Sequence, residues 1–301
     1  MATNGTIGTV EDLWRFPVKS MQGERLDEAE LTNTGLLGDR GYALIDAETG
    51  NVVSAKSVRL FPGMFHCRAS FLEPPTSEHD LPPVRIDLTD ETSVASDASD
   101  VDSVLSAHFG REVRLARVAP DDYTIDQYHP DVENVDPAGY RDTVVETKLG
   151  QAFFAQAGLA SPLPIGSFMD LFPVSVLTTS TLAQLTELQP ESRFDRRRFR
   201  MNVIVATEET GFVEDDWIGH ALELGDRVRV SVAMPDPRCV MTTLAQGDLP
   251  KDTDILRALV RHHRLDVGGG AHFPCVGVYA VVVAPGTVRT GDQVALLSSV
   301  A

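Results

Sequence analysis

The chain has 301 residues, of which 43% are hydrophobic and 23% are charged, and its formal net charge is −18. This size and composition predict a globular protein with a sizeable core, as one large domain or two closely associated ones. The negative charge disfavours non-specific binding to nucleic acids and to anionic membrane surfaces, because like charges repel. We therefore expect neither nucleic acid nor membrane as a partner.

The cysteines and the start of the chain indicate a compartment. Cys67, Cys239 and Cys275 lie far apart and form no CxxC pair, and such a sparse, odd set is typical of a reducing environment. Residues 1–10 lack the cationic start and apolar core of a signal peptide. The longest apolar run, 276–284, has the length of a strand. These features predict a cytoplasmic protein.

The first half of the chain is predicted to be mainly β. Alternating apolar and polar residues predict strands over 6–14, 26–32, 41–46, 51–55, 65–72 and 111–116. The apolar spacing of residues 101–109, closed by Gly110, predicts one short helix. Residues 120–161 are rich in Asp, Pro and Gly, and we expect a long loop with one short helix there.

The second half continues with short strands and two helices. Strands are expected over 174–177, 200–206, 221–224, 227–234, 275–283 and 287–294, and helices over 180–188 and 253–262. Many short strands with few helices predict an α+β, mainly β protein built on a β-barrel. We divide it into an N-terminal β-rich domain, residues 1–125, and a second domain, residues 126–301.

Two short segments of the N-terminal half indicate an anion site. Pro17 fixes the chain direction at the end of the first strand, and Lys19 and Ser20 then offer an ammonium and a hydroxyl group. Further on, three glycines surround Asp39 and Arg40, and the Arg40 guanidinium can form paired hydrogen bonds to an anion. Taken alone, each segment is more typical of a solvated surface turn.

Arginine is concentrated between residues 193 and 200, with five arginines in eight positions of an acidic chain. Because side chains alternate in a strand, a strand over 200–206 would place Arg198, Arg200 and Asn202 on one face and apolar side chains on the other. The polar face would then offer cationic and amide donors to an anion. The alternative is a solvated run of charges.

Cys239 follows a Pro-Asp-Pro turn and stands next to Arg238. A cation beside a thiol favours the thiolate, which is the form that binds metals or attacks electrophiles. The alternative for a free cysteine is a small buried apolar side chain. That alternative suits Cys67 and Cys275 better, because both lie in strand-like apolar runs.

Together these segments resemble the MOSC superfamily, named for the C-terminal domain of molybdenum cofactor sulfurase. Residues 13–24 (LWRFPVKSMQGE) are similar to the opening of the family's N-terminal β-barrel domain, and residues 35–46 to its next block. Residues 199–205 (FRMNVIV) and 237–243 (PRCVMTT) resemble the two signature blocks of the MOSC domain. The resemblance covers nearly the whole chain and implies a MOSC β-barrel with an interlocked N-terminal β-barrel-like domain and a few helices.

The resemblance also implies a cofactor and the residues that hold it. Family members such as the mitochondrial amidoxime-reducing components and bacterial reductases of N-hydroxylated bases carry a molybdenum cofactor, in which molybdopterin binds the metal. Cys239 matches their metal-ligating catalytic cysteine, and thiolate is a soft ligand suited to such a metal. The residues implied to hold the cofactor are Lys19, Ser20, Arg40, Arg200, Asn202 and Arg238.

The implied reaction is the two-electron reduction of a small N-hydroxylated substrate to an amine and water. The chain lacks the cysteine motif of a ferredoxin, so the electrons would come from a separate protein of ferredoxin, flavin reductase or cytochrome type. Asp170 is a candidate supporting carboxylate, with an ordinary loop residue as the alternative. Two other functions remain open: a sulfur or molybdenum-cofactor carrier that uses a Cys239 persulfide, and an anion-binding module without catalysis.

Overall fold

The computed structural model describes residues 5–297. This part of the chain contains nineteen strands, four α-helices and four short 3₁₀-helical turns. The first four residues of the segment inspected for a signal peptide lie outside this range. The N-terminal strands are β1 (Gly5–Arg15), β2 (Glu24–Leu26), β3 (Glu28–Thr32), β4 (Gly35–Leu36), β5 (Ala43–Asp46), β6 (Arg68–Phe71), β7 (Val84–Asp87), β8 (Ser93–Ala95) and β9 (Val113–Ala116).

The remaining strands are β10 (Thr124–His129), β11 (Thr143–Lys148), β12 (Val174–Thr178), β13 (Val203–Ala206), β14 (Ala221–Leu224), β15 (Val228–Pro237), β16 (Arg264–Asp266), β17 (His272–Ala284), β18 (Gly286–Arg289) and β19 (Gln293–Leu297). The helices are α1 (Val101–Phe109), α2 (Gly150–Ala157), α3 (Thr179–Leu188) and α4 (Asp254–His262). None of the helices in this part of the chain is long and apolar enough to cross a membrane.

Seven strands form a closed barrel in the order β12, β13, β1, β19, β14, β15 and β17, and β17 pairs again with β12. The pairs are antiparallel except for β12 and β13, which α3 connects in parallel. Val228, Val230 and Val232 of β15 are buried while residues between them are not, as expected where every second side chain enters the barrel. The prediction of a mainly β, α+β protein with a β-barrel is confirmed.

The N-terminal part and the barrel exchange strands. β1 is one of the strands of the barrel wall, paired with β13 and β19, although it is the first strand of the described chain. In return, β18 pairs with β3 in a small sheet of the N-terminal part. The two parts therefore cannot separate without breaking sheet hydrogen bonds, as the expected interlocking requires. The division after residue 125 stays a prediction, and that position falls within β10.

Four local predictions were wrong. The strand expected over 51–55 is only an isolated bridge between Val52 and Ile45. Residues 120–161 are not one long loop, because β10 and β11 form a hairpin there that is followed by α2. The strand expected over 200–206 begins only at Val203. The closing strand expected over 287–294 is two strands, β18 and β19, separated by a turn. In each case a local turn of the backbone shifts the boundaries of an element that residue propensity alone would place differently.

Candidate functional site

The two N-terminal segments predicted to bind an anion lie side by side. The backbone N–H of Lys19 donates to the carbonyl of Tyr42 at 2.8 Å, and that of Arg40 donates to the carbonyl of Phe16 at 2.8 Å. The carboxylate of Asp39 accepts from the N–H of Phe16 at 2.8 Å. This pairing brings the side chains of Lys19, Ser20 and Arg40 to one region at the end of β1.

Asp170 bridges two buried lysines. Its Oδ1 accepts from the ammonium of Lys19, and its Oδ2 accepts from that of Lys56 at 2.9 Å. Burial would raise the pKa of Asp170, but the charges of Lys19 and Lys56 outweigh it and hold that pKa well below its ordinary value. Burial lowers the pKa of Lys19 to about 8, against the opposing effect of Asp170. The candidate carboxylate thus fixes the positions of two cations.

Lys56 was not predicted from the sequence. Burial disfavours its charge, but the nearby carboxylate of Asp170, assisted by the neighbouring groups of Cys239 and Asp236, outweighs burial and raises the pKa of Lys56. Lys56 therefore lies near the thiol as well as near Lys19. Its position offered a signal: it is one of only four lysines in the chain and directly follows the apolar run that ends at Ala55.

Arg40 and Arg200 share an aromatic platform. Their guanidinium carbons lie 4.6 and 4.2 Å from the centroid of the Phe16 ring, which favours cations on its face. Arg200 also donates to the carbonyl of Met21 at 2.6 Å, and Arg40 donates to the carbonyl of Arg200 at 3.1 Å. Burial, assisted by the charge of Arg40, lowers the pKa of Arg200 to about 9.

The arginine-rich segment contributes Arg200 to the site, but it does not form the strand that was predicted to place Arg198, Arg200 and Asn202 on one face. Residues 196–198 form a turn of 3₁₀-helix, and Arg200 has φ of 57°, so side chains do not alternate there. Arg198 points elsewhere and donates to the carbonyls of Thr242, Leu244 and Pro250 at 3.3, 3.2 and 2.8 Å. It supports the segment after Cys239 and is not part of the candidate anion site.

Asn202 is buried, and its amide group is used inside the protein. Its Oδ1 accepts from the backbone N–H and the hydroxyl of Ser175 at 3.1 and 3.0 Å. Its Nδ2 donates to the carbonyl of Trp14 at 3.3 Å and to Asp39 at 3.0 Å. Asn202 therefore ties three barrel strands together and holds Asp39, the ion-pair partner of Arg40.

Cys239 lies two residues after β15 ends and directly precedes a 3₁₀-helical turn over residues 240–243. It is half-buried, whereas Cys67 and Cys275 are fully buried. Burial raises the pKa of Cys67 to about 11 and that of Cys275 to about 12. Cys67 and Cys275, which the sequence favours as packing cysteines, are thus the two fully buried thiols, and Cys239 is the more exposed one.

The guanidinium of Arg238 anchors the backbone around Cys239. It donates to the carbonyls of Phe199 and Val276 at 3.1 and 3.0 Å, and pairs with Asp236 at 2.8 Å. Asp236 is buried, and one of its oxygens has no hydrogen-bond partner. Burial raises the pKa of Asp236 to about 6, against the effects of Arg238 and the Tyr279 hydroxyl.

The backbone at three of the predicted cofactor-binding residues is strained. Ser20, Arg40 and Arg200 have φ of 64°, 50° and 57°, and only three other non-glycine residues between 5 and 297 have a positive φ. A left-handed conformation costs an L-residue about 1–2 kcal/mol. Such strain is concentrated at functional positions, where a required side chain outweighs the backbone cost.

We define the Cys239 site as Lys19, Ser20, Lys56, Arg40, Arg200, Asp39, Asp170 and Cys239. It holds four cationic side chains and two carboxylates, an excess of two positive charges in a chain of net charge −18. Buried charge is costly unless it is paired. An anionic ligand beside Cys239 would supply the missing negative charge.

Most of the predicted site residues meet here, but not all as free donors. Lys19, Ser20, Arg40 and Arg200 lie in the Cys239 site, with the thiol nearby. Asn202 and Arg238 border it, and their donors are engaged by neighbouring protein groups. Lys56 and Asp236 were not predicted as site residues.

Comparison with known proteins gives the family. Residues 7–112 match the MOSC N-terminal beta barrel domain, and residues 166–295 match the MOSC domain. Human mitochondrial amidoxime-reducing component 1 is 24% identical over 97% of this chain and 83% of its own length. Mitochondrial amidoxime reducing component 2 of Macaca fascicularis is 25% identical, with coverages of 96% and 83%.

Among solved structures, the YUAD protein of Bacillus subtilis covers 100% of both chains at 13% identity, with a TM-score of 0.47. The two domain matches lie in the order expected from the sequence motifs, and the relatives align along nearly the whole chain. The protein is therefore a MOSC-domain protein with a MOSC N-terminal β-barrel domain.

Proposed function

We propose that this protein binds a molybdenum cofactor at the Cys239 site and reduces small N-hydroxylated compounds to amines and water. The observation that carries the proposal is the excess of two positive charges, on three buried cations and the half-buried Arg40, beside a half-buried thiol. The similarity to amidoxime-reducing components supports the substrate class.

The residues fit such a group in two respects. The cofactor has a phosphate, which suits the ammonium groups of Lys19 and Lys56 and the guanidinium groups of Arg40 and Arg200. A bound anion would also relieve the repulsion between Arg40 and Arg200 that contributes to the lowered pKa of Arg200. The Cys239 thiolate would be a soft ligand suited to molybdenum.

The residues have different proposed roles. Lys19, Ser20, Arg40 and Arg200 hold the anionic part of the cofactor, and Lys56 joins them. Cys239 would be the metal ligand and the catalytic residue, because it would contact the reacting centre.

Asn202 and Arg238 act on the cofactor through other residues. Asn202 fixes Asp39, and through it the guanidinium of Arg40. Arg238 fixes the backbone on which the thiol stands. When bound, the cofactor supplies the two-electron chemistry, while these residues orient it.

The proposal includes an external electron donor of ferredoxin, flavin reductase or cytochrome type. The chain has three cysteines, and two of them are fully buried. It therefore cannot supply the four thiolates that hold an iron–sulfur cluster. Dithionite or a reduced dye should therefore support turnover of benzamidoxime, while NADH alone should not. Rapid NADH-driven reduction by the homogeneous protein would contradict this part of the proposal.

The decisive experiment measures molybdenum and pterin in protein purified from a host that makes the cofactor. We expect close to one of each per chain, together with dithionite-dependent reduction of benzamidoxime. A carrier that uses a Cys239 persulfide predicts instead a sulfur atom released by reductant and little retained metal. Protein with full metal content but no reduction of any N-hydroxylated compound would refute the reductase assignment and retain the cofactor assignment.

A further inference from the structure

A cavity of about 460 Å³ lies next to the Cys239 site but is lined by other side chains. Ala55 and Val240 form part of its wall, whereas their chain neighbours Lys56 and Cys239 do not. The two sites therefore share stretches of backbone and present different side chains to each space. The domain matches and the proposed reaction assign nothing to this cavity.

The wall of the cavity is mostly apolar. Its buried members include Phe61, Met64, Phe65, Val132 and Val240, and the half-buried ring of Tyr128 lies at one side. Small-molecule sites are typically apolar cavities of about 300–1,000 Å³ with a few polar groups. This volume lies near the lower end of that range, which suits a single aromatic ring with a short substituent.

The rim adds a positive charge. Lys251 is exposed there and has no carboxylate within ion-pair distance among residues 5–297. The other two rim charges are neutralised: Arg257 pairs with Asp254 at 2.8 Å, and Asp131 pairs with Arg141 at 2.7 Å. A lysine without a counter-ion at an apolar cavity attracts an anion in an otherwise acidic protein.

We propose that this cavity binds a small aromatic carboxylate, with its ring against Phe61 and Phe65 and its carboxylate at Lys251. The site is independent of the reaction proposed for Cys239. Its occupant would contact Ala55, which precedes Lys56 in the chain, and Val240, which follows Cys239.

The test is a calorimetric titration of the full-length purified protein with three probes of similar shape. Phenylacetate carries a negative charge, phenylacetamide is neutral and phenethylamine carries a positive charge. We expect saturable binding of phenylacetate, about three- to fivefold weaker binding of phenylacetamide, as one solvent-screened ion pair implies, and the weakest binding of phenethylamine.

Three variants identify the location. Lys251→Gln should abolish the preference for phenylacetate over phenylacetamide, whereas Lys148→Gln, at a half-buried lysine outside the cavity, should preserve it. Ala245→Phe, at a half-buried wall position, should fill the space and weaken binding of both probes. The proposal is overturned if phenylacetate does not bind, if both probes bind wild type equally, or if Lys251→Gln and Ala245→Phe leave binding unchanged.

Discussion

Two regions of this acidic protein are rich in cations, and they differ in how those cations are balanced. On the surface, Arg196 pairs with Glu11 at 2.6 Å and also with Asp12. Arg197 pairs with Asp195 and Asp248 at 2.7 and 2.6 Å. In the Cys239 site, three buried cations and the half-buried Arg40 share two carboxylates. The densest run of arginine in the sequence is therefore largely a balanced surface network, while the candidate anion site gathers single residues from distant segments.

The largest expected effect concerns the thiol beside the unbalanced cations. Cys239→Ser replaces a soft ligand by a hard one, so N-hydroxylated substrate reduction should fall by orders of magnitude while pterin is still held by the cationic residues. X-ray absorption should show one sulfur fewer around molybdenum than in the wild type.

The matched controls for this variant are Cys67→Ala and Cys275→Ala, which remove fully buried thiols. Both should retain activity and lose only the stability that a small cavity costs, about 1 kcal/mol. Equal sulfur counts in wild type and Cys239→Ser would exclude Cys239 as the ligand.

The next effect tests the comparison directly, by removing one arginine from each region. Arg200→Ala should weaken cofactor retention about tenfold or more, because charge-assisted hydrogen bonds contribute about 1.5–3 kcal/mol each. Arg196→Ala, in the balanced network, should leave retention unchanged. Pterin fluorescence after equal dialysis measures both. Equal losses of pterin from the two variants would show that Arg200 does not bind the cofactor more than Arg196 does.

Buried cations should also give the cofactor-free chain a distinctive pH dependence. The pKa of Lys19 is lowered to about 8 from its ordinary 10.5, so between these values the unfolded chain binds more protons than the folded chain. Stability from this group therefore rises as pH increases through that window. Urea unfolding of wild type and Lys19→Met from pH 7 to 10 should show wild type gaining up to about 3 kcal/mol relative to the variant.

Lys251→Met, at an exposed lysine, is the control and should run parallel to wild type in the same titration. Parallel stability curves for wild type and Lys19→Met would show that Lys19 is not desolvated in the folded chain.

The smallest effect is expected on the surface. Arg193 is exposed and pairs with Asp248 at 2.9 Å, so Arg193→Ala should change the free energy of unfolding by no more than about 0.5 kcal/mol. Urea unfolding at low and high salt measures it. A loss well above that value would show that the surface network is cooperative.

These contrasts show what the sequence could and could not predict. The barrel was predictable because strands such as β15 alternate buried and solvent-facing residues, and Lys19, Arg40 and Cys239 stood in recognisable motifs. Lys56 was missed because it lies in no motif, and only the fold brings it to Asp170.

Other errors arose where the backbone departs from regular geometry. The strand face proposed for Arg198, Arg200 and Asn202 failed because a 3₁₀ turn and a left-handed residue interrupt the alternation. The β10–β11 hairpin was missed because its strands lie among Asp, Pro and Gly residues typical of loops.

At Ser20, Arg40 and Arg200, whose backbone is left-handed, thermal stability and cofactor binding favour different residues. Glycine adopts that conformation without steric cost, so Ser20→Gly should raise the melting temperature by about 1–3 °C, measurable by calorimetry, while the Ser20 hydroxyl is lost from the cofactor site. A lower melting temperature would show that the Ser20–Ser54 contact outweighs the strain. A library of variants selected only for heat resistance should therefore accumulate glycine at these three positions and lose cofactor together with each gain.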